Sequence, residues 1–190
     1  MNLLVRLLIT SLIFPLLIAC SQPEITPDPD SPKFVALSEQ ARQRAQKESP
    51  DAVLRQADTD LNRTISRFTD TAATKEIDIT VPSPNASPDQ WTAGVTSLSP
   101  LLGHSEPDMN IKDLRVAPSH VAQAVSAQWA GCKIRALTLY RNESEHDLIW
   151  VAFCDTPQGM VSGKMVNGTG VFQPFNAPPA RAPVTATLAH

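Results

Sequence analysis

An α+β domain, with a small antiparallel sheet of C-terminal hairpins, helices packed on one of its faces and proline-rich ends, is what this sequence predicts. Three observations predict it. Lys133 to Tyr140 alternates polar and apolar residues, Leu148 to Phe153 is apolar throughout, and the polar stretch Arg141 to Asp147 joins them as the turn of a hairpin would. Asn167-Gly168, a pair that tolerates the positive φ of a tight hairpin turn, stands between Met160 to Val166 and Thr169 to Phe172. Upstream, apolar residues recur at three- and four-residue steps, as they do along one face of a helix.

The chain opens on Met1-Asn2-Leu3-Leu4-Val5-Arg6, followed by an apolar run from Leu7 to Ala19 and then Cys20. Arg6 is the only charged residue before Glu24, and the run is shorter than the 20 or so residues that cross a hydrocarbon core as a helix. Pro15 within it also disfavours a permanent span, so residues 1–19 read as a cleaved leader. Leu17-Ile18-Ala19-Cys20 resembles the lipobox of bacterial lipoproteins, in which an aliphatic, a variable and a small residue precede the cysteine to be lipidated. The resemblance implies diacylglycerol on Cys20, cleavage before it and acylation of the new amino terminus, which is anchorage to a leaflet without spanning it. In many Gram-negative lipoproteins an aspartate after that cysteine favours the inner membrane. Ser21 stands there instead, implying the outer membrane and a domain facing the periplasm.

Removing residues 1–19 takes one base, Arg6, and no acid from a chain with 16 Lys and Arg and 19 Asp and Glu, leaving a net charge of −4. Without a basic excess or stripe, nucleic acid is not an expected partner. The full chain has seventeen prolines against seven glycines, and the prolines cluster towards the two ends of the mature chain. Gln22 to Pro32 and Gln173 to Pro183 have little apolar surface to bury and read as a spacer and a tail. The expected organisation is a leader over 1–19, a lipidated cysteine, proline-rich tether and weak helix over 20–48, one domain over 49–173 and a tail over 174–190.

Within that frame, Ala36 to Lys47 is a thinly apolar helix, offering mainly Leu37, Ala41 and Ala45. Ser49-Pro50-Asp51 has the cap, proline and acid of a helix start, and Leu54, Ala57, Leu61, Ile65 and Phe68 after it predict a helix laid on the sheet. Glu76 to Val81 alternates as a strand. Ser87-Pro88-Asp89-Gln90 repeats the helix-start pattern, with Trp91, Val95 and Leu98 as its stripe, and Ile111 to Val116 reads as a short strand. Val121, Ala122, Val125 and Trp129 mark another helix, from Ser119 to Ala130, closed by Gly131.

Cys132 and Cys154 lie at the open ends of the predicted hairpin, nearly equidistant from its turn. In an exported chain whose third cysteine carries lipid, they are an even pair expected to form a structural disulfide. They lack the Cys-x-x-Cys spacing of a redox pair.

No catalytic or metal-binding pattern emerges, and no cofactor is expected. His104, His120 and His146 lie far apart with no paired-ligand spacing, and Met109, Met160 and Met165 read as core or edge residues rather than copper ligands. Asn167-Gly168-Thr169-Gly170 lacks the spacing and lysine of a phosphate loop. Two function classes follow. One is a non-enzymatic envelope lipoprotein, held to the membrane by lipid on Cys20, that binds or assembles another envelope protein through a sheet or helix face. The other is an envelope hydrolase with a dispersed site, such as His120 with Asp113 or Asp155.

Overall fold

A computed structural model describes residues 26–98, 108–142 and 147–175. Residues 1–25, including the leader, Cys20 and most of the tether, lie outside them, as do His104, His146 and the tail beyond residue 175. The first helix, α1, spans Ser31–Glu48 and the second, α2, Pro118–Gln128. Eight strands follow the chain as β1 (Val53–Thr59), β2 (Thr64–Thr69), β3 (Lys75–Val81), β4 (Thr92–Ser97), β5 (Lys133–Asn142), β6 (Asp147–Thr156), β7 (Gly159–Val166) and β8 (Phe172–Pro174). They form one antiparallel sheet in the order β4-β3-β2-β1-β5-β6-β7-β8. Two four-stranded meanders thus meet along β1 and β5, and the segment carrying α2 crosses between them. The expected α+β class holds, with more sheet than the sequence suggests.

The first meander differs from the sequence expectation. The helix expected after Ser49-Pro50-Asp51 is the hairpin of β1 and β2, turning at residues 60–63. A bulge between Leu54 and Gln56 shifts the strand's phase, so Leu54 and Ala57 face the core three residues apart, as they would on a helix. Beyond the turn Thr64, Ser66 and Phe68 alternate inwards, while Leu61 sits in the turn itself. The helix expected after Ser87 ends at Gln90 as a single 3-10 turn, and Trp91, Val95 and Leu98 continue into and beyond β4. Ile111–Asp113 is a 3-10 turn rather than a strand.

Helix α1 is longer and better packed than its thin apolar content predicts. Its buried face is Ser31, Phe34, Ser38, Ala41 and Ala45, and the serines and alanines among them let the helix lie close on β2 and β3. α2 lies on β5 and β6 over Val121, Ala122 and Val125, as expected. Both helices pack into one core with Leu54, Phe68, Ile77, Ile79, Leu137, Leu139 and Trp150. The opposite sheet face bears polar pairs, among them Arg67 with Asp78 at 3.2 Å and the Thr138 hydroxyl donating to Asp58 at 2.6 Å.

The β5–β6 hairpin forms as predicted, and a bulge between Ile134 and Ala136 accounts for the change of alternation there. Cys132 and Cys154 are disulfide-bonded across it, with Cα atoms 5.8 Å apart. Asn167-Gly168 behaves differently from the expected two-residue turn. β7 and β8 pair with Met165 opposite Phe172, which leaves a longer loop whose positive φ falls on Gly170. Asn167 is instead buried, its Oδ1 accepting from the Arg115 and Val116 N–H groups at 2.6 and 3.2 Å and its Nδ2 donating to the Asp113 carbonyl at 2.9 Å. Gly163 permits close approach, since a Cβ there would meet the Gln173 carbonyl at 2.7 Å and the Phe172 ring closer still.

Two predictions follow from these contacts. Asn167→Ala removes the hydrogen bonds to the buried Val116 N–H and to the part-buried Arg115 N–H and Asp113 carbonyl, and lowers unfolding free energy by about 2–3 kcal/mol in chemical denaturation. Asp70 organises the β2–β3 turn, accepting from the Thr74 N–H at 2.6 Å and the Lys75 N–H at 3.0 Å as well as from the Thr74 hydroxyl. Burial alone would raise its pKa, but these hydrogen bonds outweigh it and hold the carboxyl below its ordinary value. A folded-state pKa below the unfolded one stabilises the fold above about pH 4 and loses that contribution as the pH falls. Asp70→Asn is therefore less stable than wild type at neutral pH, and the gap between the two melting curves closes below about pH 4.

Candidate functional site

An open cleft of about 380 Å³ lies where the first turns of both helices meet the β1–β2 turn. Phe34, Leu37, Leu61, Pro84 and Pro118 supply its apolar wall, and Asp30, Lys33, Asn85 and Ser119 its polar rim. Hydrogen bonds fix the start of α1 to the segment just before α2. The Asp28 N–H donates to the Arg115 carbonyl at 2.7 Å, and the Ser31 hydroxyl donates to the same carbonyl at 2.8 Å.

Polar groups around the cleft are largely engaged with one another. Asp30 accepts from Lys33 Nζ at 2.9 Å and from the Ser119 hydroxyl at 3.3 Å. Its carboxyl lies below its ordinary pKa, first through the Lys33 hydrogen bond and charge, and Lys33 is raised by the same pairing. His120 Nδ1 stands 3.4 Å from Asp28 Oδ2. The carboxylate beside His120 is therefore neither of those the sequence suggested. Asp113 accepts from Asn110, and Asp155 pairs with Arg135 on the surface. The hydroxyl next to His120 in sequence, Ser119, is directed to Asp30, so histidine and hydroxyl do not form a nucleophile and base. Met109 and Met165 are fully buried in the core and Met160 is exposed on β7, so the methionines do not converge. Among the described residues no group of histidine, cysteine and acidic side chains is arranged to hold a metal.

The turn that supplies Leu61 is built by its neighbours. The Leu61 N–H donates to Thr59 Oγ1 at 3.0 Å, and Asp60 Oδ1 accepts from the Asn62 and Arg63 N–H groups at 2.9 and 2.8 Å. This wrap holds Leu61 at φ 76°, a left-handed conformation that costs a branched residue roughly 1–2 kcal/mol, and leaves its side chain 39% exposed at the cleft. The apolar spacing in the sequence predicts Leu61 on a helical core stripe. Asp60 and Asn62 on either side of it were the available turn signal.

No protein-family model matches the chain, and no curated protein matches it in sequence. Among solved structures, the crystal structure of a candidate lipoprotein from Clostridium difficile 630 is similar in fold. It aligns with a TM-score of 0.50 at 12% identity, over 80% of this chain and 93% of that one. At that identity the likeness concerns the fold. No helix among the described residues is long and apolar enough to cross a membrane.

Leu61 yields the prediction for this site. Because glycine takes the left-handed conformation freely, Leu61→Gly keeps or raises unfolding free energy, by up to about 1 kcal/mol. A loss of more than about 1 kcal/mol in urea denaturation would mean that Leu61 holds the turn by packing rather than standing as strained cleft wall.

Proposed function

We propose that this chain is a bacterial envelope lipoprotein, anchored by lipid on Cys20 in the outer membrane and facing the periplasm, that serves as a non-enzymatic binding or assembly module. The observation that carries the reading is the apolar run closed by Leu17-Ile18-Ala19-Cys20. Its position relative to the fold adds to it. Asp28, tied to the body of the domain by its bond to Arg115, follows Cys20 by eight positions, a span of about 25 Å if polyproline-like. A lipid anchor would thus keep the α1 end of the domain, and the cleft there, close to the leaflet.

The cleft's chemistry favours binding over turnover. Asp30, Lys33 and Ser119 engage one another, and the wall left to a ligand is Phe34, Leu37, Leu61 and Pro118. Such a surface suits an apolar segment of another envelope component, held without covalent chemistry.

Metabolic labelling with radioactive palmitate tests the anchor. The wild-type chain is expected to take up label and to fractionate with the outer membrane, whereas Cys20→Ala takes up none and persists with its leader uncleaved. Label on the variant, or none on wild type, would overturn the assignment. Crosslinking in the intact envelope, followed by pull-down of wild type and Cys20→Ala, then identifies a partner that depends on the anchor.

A further inference from the structure

The two edges of the sheet are protected unequally. β8 is three residues long and ends on Pro174, which has no N–H to offer a neighbouring strand. β4 is six residues long and every one is exposed. From Trp91 to Leu98 the chain carries no charge and no proline, and no described strand lies on its outer side. Natural sheets blunt such an edge with charge, proline or a bulge, and β4 has none of these.

The register shows which backbone groups this edge presents. The Leu98 N–H donates to the Thr74 carbonyl at 2.7 Å, which makes 98 and 74 a bonded pair. Bonded and non-bonded pairs alternate along an antiparallel ladder, so Thr96, Gly94 and Thr92 bond inwards to β3 while Ala93, Val95 and Ser97 direct their N–H and C=O groups outwards. The other side of β3 agrees, since the Lys75 carbonyl accepts from the Asp70 N–H on the β2 side.

We propose that β4 pairs with β4 of a second copy of this chain, antiparallel, about a two-fold axis at Val95. Residues directly opposite in an antiparallel pair lie on the same sheet face, and all three outward residues bond only if Val95 opposes itself and Ala93 opposes Ser97. Every outward N–H and C=O of the strand then has a partner. Both copies keep their helices on the same side, and Val95, 51% exposed on the helix-bearing face, gains its twin as a neighbour. Self-pairing brings no like charges together because the segment has none. Strand pairing over six residues falls short of the 1,200 Å² or so that a tight interface buries, so the association is weak and depends on concentration. The pairing goes beyond the proposed function and does not rest on lipid at Cys20.

Sedimentation velocity of the purified mature chain in detergent tests it. Wild type is expected to pass from monomer to twice the monomer mass as concentration rises, while Val95→Lys and Val95→Glu each remain monomeric. An equimolar mixture of the two variants sets a lysine opposite a glutamate and restores the doubled mass. Amide exchange supplies a readout on the register. The Ala93, Val95 and Ser97 amides gain protection with concentration, whereas those of Gly94 and Thr96 are protected throughout. Wild type that stays monomeric at about 1 mM, or variants that dimerise like wild type, would overturn the proposal. Protection of the three outward amides in the dilute monomer would also overturn it, by showing that another segment holds the edge.

Discussion

The burial of one indole in the middle of the sheet is the constraint from which the helical layer follows. Trp150 on β6 is wholly enclosed, so its N–H must find an acceptor inside the protein, and it donates to the Val116 carbonyl at 2.9 Å. Its ring meets Phe34 of α1 edge-on, with centroids 5.5 Å apart. One side chain thereby sets where α1 crosses the sheet and where the segment before α2 must run. Asn167 holds the same segment from its other side through the Arg115 and Val116 N–H groups, while Asp28 and Ser31 bond to the Arg115 carbonyl. Residues 113–116 are thus fastened through successive backbone groups, and the cleft between the two helix starts inherits that rigidity.

How far the fold could be read from sequence depended on whether local pattern and tertiary packing agreed. In β5 and β6 they agreed, because ten-residue strands with alternating or continuous apolar character leave little room for another reading, and the one irregularity at Arg135 is a bulge. In β1 and β2 they conflicted. The bulge at Leu54 and a leucine in the intervening turn together reproduced helical spacing, although Thr59, Thr64, Ile65 and Thr69 are residues that favour a pleated strand. For α1 the apolar content misled in the opposite sense. A helix that lies close on a sheet needs small buried residues, and Ser38, Ala41 and Ala45 are fully enclosed although two alanines and a serine make only a thin apolar stripe.

The cleft was hardly legible, for a topological reason. Its walls come from residues 30–37, 59–64, 84–85 and 118–119, which the chain separates by the rest of α1 with β1, by the β2–β3 hairpin, and by β4 with the crossover to α2. Nothing local to any one of these segments announces that they converge. His120 illustrates the point. Its carboxylate neighbour, Asp28, lies on a stretch whose prolines read as tether, and the bonds from the Asp28 N–H and the Ser31 hydroxyl to the Arg115 carbonyl bring that stretch to the head of α2. The turn residues around Leu61 were visible, but their meaning required knowing that the turn faces the helices rather than solvent.

β6 is also the strand most firmly held, and the way it is held bears on Trp150. At one end the disulfide joins Cys154 to Cys132, closing a loop with a sequence separation of 22, a constraint worth roughly 3 kcal/mol in the chain-entropy model. At the other end Asp147 Oδ2 accepts from the Gly168 N–H at 2.8 Å, tying the strand to the loop that carries Asn167. Between those fastenings the strand pairs with β5 and β7 along almost its whole length. A tryptophan placed midway along such a strand has little freedom to shift, so the indole can serve as the reference against which both helices are positioned. The disulfide at the hairpin's open end and the buried amide after β7 thus act on the same element from opposite ends, and the geometry of the distant cleft depends on both.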